Sequence, residues 1–104
     1  MEQLQFQVPS RAQSQRRDAV LVGVVGSGNC EVLLETASSD AVCIATVHTA
    51  AHGFSDIWRR VIEDFATRCD AGGLRVDIND VGATPAVVTL RLYQAIEAWE
   101  SGYA

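Results

Sequence analysis

Between Leu74 and Asn79 the chain changes polarity at every step: Leu74, Val76 and Ile78 are apolar, while Arg75, Asp77 and Asn79 are polar. A period of two puts the apolar set on one face of a pleated strand, so this run is a strand buried on one side only. Residues 30–35 behave similarly, with Cys30, Val32 and Leu34 set against Glu31, Leu33 and Glu35. The valine-rich run 19–25 and the run 41–47 supply two further strands. Gly26-Ser27-Gly28-Asn29 is a turn signal between the first two runs, and predicts a β-hairpin with Ser27 at its tip. Residues 36–40 form the turn into the third strand.

Two segments have the other period. Ile57, Trp58, Val61, Ile62, Phe65 and Cys69 recur at helical spacing. Ser55 is the expected N-cap, Asp56 suits the positive end of the helix dipole, and Gly72-Gly73 marks the stop. Thr84-Pro85 reads as an N-cap followed by proline at the first helical position. The helix it opens runs to about Glu100, with Val88, Leu92, Ile96 and Trp99 on one face. The order is therefore β-β-β-α-β-α. A helix joins the third and fourth strands, which makes them parallel with a right-handed crossover. A meander of three strands plus one parallel strand predicts an α+β fold: a four-stranded mixed sheet with two helices on one face. Residues 1–18 are expected to be a flexible N-terminal arm, since the stretch from Ser10 to Arg17 is polar and has no apolar period. Residues 19–104 form a single domain.

Composition narrows the chemistry. The chain has 104 residues and a net charge of −5, and all eight of its basic residues are arginine. A lysine-free chain cannot make a Walker-type phosphate loop or a Schiff base. An acidic surface repels nucleic acid. No apolar run is long enough to cross a bilayer, and the start of the chain lacks the basic-then-apolar pattern of a signal peptide. The expectation is a cytoplasmic protein with neither a nucleic-acid nor a membrane partner. Cys30, Cys43 and Cys69 are too widely spaced for a zinc site and odd in number for a disulfide framework. They read as small apolar side chains.

Four groups are candidates for an active site. His48 and His52 have the i,i+4 spacing of zinc ligands, but Thr49 stands where a metalloprotease carries glutamate. Ser27 as a hydrolase nucleophile would need glycines two residues to either side, where Val25 and Asn29 stand, and a turn into a helix. The glycines at 23, 26 and 28 superficially resemble a dinucleotide fingerprint, which must also lead into a helix. Asp77, Asn79 and Asp80 could hold a cation, though residues of this kind more often satisfy a turn and a helix start. No group combines base, nucleophile and charge stabiliser, so no catalytic residue and no metal ligand is assigned. Ser27 itself stands between two glycines that leave it open to a modifying enzyme.

Over Val25-Gly26-Ser27-Gly28-Asn29-Cys30-Glu31-Val32-Leu33-Leu34-Glu35 the chain resembles the acyl carrier (delta) subunits of malonate decarboxylase. The run from Ile78 through Asn79-Asp80-Val81-Gly82-Ala83-Thr84-Pro85 to Leu92 agrees, as does Tyr93-Gln94-Ala95-Ile96-Glu97. The carrier subunit of citrate lyase is related in type. The resemblance implies that Ser27, flanked by Gly26 and Gly28, carries 2'-(5''-phosphoribosyl)-3'-dephospho-coenzyme A through a phosphodiester. The thiol of that group would carry acetyl and malonyl thioesters. It further implies acyl-transferase and decarboxylase subunits as partners, a prosthetic-group transferase as the modifying enzyme, and a chain that is not itself an enzyme. Asn29 and Cys30 depart from the family pattern, which has aspartate and leucine there, and Val81 stands in place of phenylalanine. The alternatives are a non-carrier interaction domain of the same fold and a citrate-lyase-type carrier.

Overall fold

The computed structural model describes residues 2–14, 19–22, 30–37 and 41–101. In chain order these form β1 (Glu2–Pro9), β2 (Ala19–Val22), β3 (Cys30–Thr36), β4 (Val42–Thr49), α1 (Ser55–Arg68), β5 (Leu74–Asp80) and α2 (Pro85–Ser101). The α+β class, the two helices and the mixed sheet match the expectation. The strand count does not: the sheet has five strands, in the order β1-β4-β5-β3-β2, instead of four.

The additional strand comes from the segment expected to be a loose arm. Leu4, Phe6 and Val8 alternate with glutamines, and β1 pairs antiparallel with β4 along its whole length, from Glu2 opposite Thr49 to Pro9 opposite Val42. Phe6 and Val8 are buried, whereas the glutamines between them face solvent. Its polar composition belongs to the exposed face of an edge strand. The attachment continues past β1. The Ser10 hydroxyl lies 2.8 Å from the Ala66 carbonyl and 3.0 Å from that of Cys69, and accepts from the Ala71 N–H. The Gln13 N–H donates to the Gly72 carbonyl.

The meander is also corrected. β2 and β3 do pair as an antiparallel hairpin, and β4 and β5 are parallel as predicted. However, β3 does not pair with β4. β5 lies between them, antiparallel to β3. This arrangement buries the apolar face of β5, the cleanest alternating run, at the centre of the sheet.

One face of the sheet is covered. Val32, Leu34, Ala45, Val47, Val76 and Ile78 are fully buried there beneath the helices. α1 lies against β1, and α2 against β2 and β3. The helices contribute Trp58, Ile62 and Phe65, and Val88, Leu92, Ile96 and Trp99, which confirms the helical face read for α2. Phe65 meets Tyr93 of the other helix edge to face, with ring centroids 6.1 Å apart. Ile57 is the exception: it shares the helical period but stands 44% exposed. The other face of the sheet carries Gln3, Gln5, Thr46, His48, Asp77, Asn79 and Glu31, and no described helix covers it.

The helix ends differ from one another. Ser55 is the first residue of α1, not its cap, and Phe54 before it makes no side-chain capping bond. Thr84 does cap α2, its hydroxyl accepting from the Val87 N–H at 3.3 Å. α1 ends at Arg68, and Gly72-Gly73 lead into β5, with Gly73 in a left-handed conformation.

Candidate functional site

The strand register defines one end of the sheet. Glu2, Thr49, Asp80 and Cys30 lie side by side in a row across four strands. Both parallel strands finish there and each feeds a helix, so α1 and α2 both start at this end. β3 begins there at Cys30, and β2 approaches it through Val22, which pairs with Val32. Residues 23–29 join these two strands. Gly26, Ser27 and Gly28 thus lie outside the described residues, while the strand ends on either side of them are described.

The centre of the row is held by a buried polar pair. The Thr49 hydroxyl donates to Asp80 Oδ2 at 2.8 Å, and Asp80 Oδ1 accepts from the Ala83 N–H at 2.8 Å. Thr49 Oγ1 in turn accepts from the Ala51 N–H. A carboxylate with 3% exposure is costly to bury unless it is bonded in this way. The bonds fix the turn between β5 and α2, where Gly82 adopts φ +97°. Of the acidic run 77–80, then, Asp80 has the structural role of satisfying a turn. Asp77 and Asn79 point to the open face, where Asn79 Nδ2 donates to Glu31 at 3.1 Å.

Beside this pair is an apolar pocket of about 290 Å3 between the starts of the two helices. Phe54 lines it from just before α1, Ile57, Trp58 and Val61 from α1, and Pro85 and Val88 from α2. Nothing in the residue pattern marks this pocket, because Ile57 and Val61 carry the same period as the core residues. Only the crossing of the helices leaves them uncovered.

Arg91 stands on α2 close enough to Cys30 for its charge to act on that thiol. Burial, reinforced by Asp80, pushes Cys30 up to about 11, and Arg91 opposes the rise. Arg91 Nη1 donates to Gln94 at 3.0 Å, whereas its Nε is buried and has no hydrogen-bond partner among the described residues. Burial pushes Cys43 to about 12 and raises Cys69 as well. All three cysteines are free.

The two histidines do not share the helix that their i,i+4 spacing would need. His48 lies in β4, half-buried on the open face, and His52 is exposed in the following loop, so no helix aligns them. Among the described residues no cluster of three His, Cys, Asp or Glu side chains could hold a metal. No described helix is long and apolar enough to cross a membrane.

Comparison with known proteins agrees with this architecture. The family model for the malonate decarboxylase delta subunit (MdcD) matches residues 17–99. The chain is 48% identical over 99 residues to the malonate decarboxylase acyl carrier protein of Bradyrhizobium diazoefficiens, covering 94% of each chain. It is 54% identical over 86 residues to that of Stenotrophomonas maltophilia, covering 83% of this chain and 81% of the relative. A chain in the crystal structure of a Pseudomonas malonate decarboxylase hetero-tetramer in complex with malonate superposes with a TM-score of 0.81 at 39% identity, covering 93% of this chain and 97% of that one. With matches of this length in both sequence and fold, the chain belongs to the malonate decarboxylase delta subunit family, as a non-catalytic acyl carrier subunit.

Proposed function

We propose that this carrier holds its prosthetic group on Ser27, as 2'-(5''-phosphoribosyl)-3'-dephospho-coenzyme A joined through a phosphodiester. Membership of the family implies a phosphopantetheine-like group; the attachment residue and the ribosyl extension are the finer part of the reading. When bound, the group supplies a thiol that carries acetyl and malonyl units as thioesters, which stabilise the charge left by departing carbon dioxide better than a free carboxylate does. The chain's own thiols suit this role poorly: Cys30 and Cys43 are buried, with pKa values pushed up to about 11 and about 12, and partial burial raises that of Cys69 as well. The chemistry belongs to the group, and the protein presents it.

The observation that carries this reading is the register at the sheet end. β2 and β3 pair from Ala19–Glu35 to Val22–Val32, so the segment containing Gly26-Ser27-Gly28 follows Val22 on the edge strand and precedes Cys30, which pairs with Asp80. The surroundings fit an anionic attachment. Arg91 offers a buried Nε with no hydrogen-bond partner among the described residues, close to Cys30, and both helices begin at this end, which brings the positive ends of their dipoles to it. In the sequence, Gly26 and Gly28 flank the serine with no side chains of their own to oppose a modifying transferase. In this reading the carrier works in the cytoplasm, visits acyl-transferase and decarboxylase subunits in turn, and gains from tethering a high effective concentration at each.

Co-expression with the family's prosthetic-group transferase tests the assignment. The intact mass of the wild-type chain is expected to rise by one prosthetic group, and Ser27→Ala to remain at its encoded mass. An unmodified wild-type chain would leave a non-carrier domain of the same fold as the better description. Modified Ser27→Ala would move the attachment elsewhere.

A further inference from the structure

The pocket between the starts of α1 and α2 has no role in the attachment itself. Its walls are apolar, with Trp58 and Val88 buried at its base. Around it Phe54, Ile57 and Val81 stand 46%, 44% and 45% exposed. The one charged residue in the lining, Asp80, already has both carboxylate oxygens bonded, to Thr49 and to the Ala83 N–H. The site therefore offers no unspent polar group and suits an uncharged, slender ligand. At about 290 Å3 it lies near the lower end of small-molecule pockets.

We propose that this pocket receives the uncharged thiol end of the carrier's own prosthetic arm. The inference rests on attachment at Ser27 and goes beyond it. Reach supports it. Ser27 is three residues from Cys30, so its Cα lies within about 11 Å of that of Cys30 even in a fully extended chain. Cys30 pairs with Asp80, which lines the pocket, and adjacent strands add only about 5 Å. An extended phosphopantetheine arm spans this gap. Burying its thiol end against Trp58, Ile57 and Val88 removes apolar surface from water and shields the thiol between visits to the partner subunits.

Nuclear magnetic resonance of the loaded and unloaded carrier, without partner subunits, tests the proposal. Intact mass is recorded first, because failure to load bears on the attachment and not on the pocket. With the group confirmed, loading is expected to shift the Trp58 indole N–H and the methyl groups of Ile57, Val61 and Val88. Ala51→Phe, which fills the pocket mouth, is expected to abolish those shifts without preventing loading. If that variant does not fold, intramolecular nuclear Overhauser contacts between arm protons and the Trp58 ring in the loaded wild-type carrier decide the matter: their presence supports the proposal and their absence overturns it. A loaded wild-type carrier whose changes are confined to residues next to Ser27 would overturn the proposal. So would pocket shifts that appear only when a partner subunit is added, which would assign the pocket to that partner.

Discussion

Asp80 illustrates how much one side chain fixes at this end of the molecule. Its two oxygens tie β4 to β5 and both to the start of α2. Asp80→Ala removes both bonds and leaves the Thr49 hydroxyl and the Ala83 N–H without their partner. The expected loss is about 2–4 kcal/mol in a urea titration, with Thr49→Val costing less because one bond to Asp80 survives. Equal losses would show that the pair does not act as described. The cysteines give a pH prediction. A thiol whose folded pKa is raised binds its proton more tightly in the folded state, so its contribution is complete below the unfolded value near 9.0 and is lost as pH rises towards 11 for Cys30 and 12 for Cys43. Unfolding free energy is therefore expected to fall between pH 9 and 12, and Cys43→Ala should fall less steeply although it is less stable at pH 7. At pH 8 a thiol reagent should leave Cys30 and Cys43 unmodified in the native, unloaded chain, with Cys69 the more accessible of the three.

Among the elements, β1 departs furthest from the sequence reading. Phe6 packs in the core and its ring lies 5.1 Å from the Arg59 guanidinium of α1. Phe6→Ala is expected to cost about 3 kcal/mol, and Ser10→Ala about 1–2 kcal/mol through its bonds at the end of α1. A truly loose arm would show neither effect in the same urea titration. The signal for β1 was present in the alternation of Leu4, Phe6 and Val8 with glutamine. It was outweighed by the polar run that follows, because an edge strand needs few apolar residues to hold it. The hairpin, the parallel pair and both helices were legible because each rests on local period or connection. The insertion of β5 between β3 and β4 was not, since strand order depends on which faces pack best once all the strands are present. At the site, the Gly-Ser-Gly segment was visible as a motif, whereas the pocket became apparent only through the helix crossing.

At the scale of the molecule, one end of the sheet collects the strand ends and helix starts on which the proposed attachment rests. The two parallel strands end there, both helices start there, and the segment bearing Ser27 joins the sheet there. A carrier must offer its cargo to more than one active site, and an attachment at the end of the sheet leaves the helices and the open sheet face free for partner contacts. The central claim is that Ser27 bears the thiol-ended group on which the acyl chemistry takes place. It is tested most directly by purifying the chain from its own host and locating the modification by tandem mass spectrometry of its peptides. The account predicts a single phosphodiester-linked group on the peptide containing Gly26-Ser27-Gly28. A chain from an active complex with Ser27 unmodified, or with the group on another residue, would contradict it.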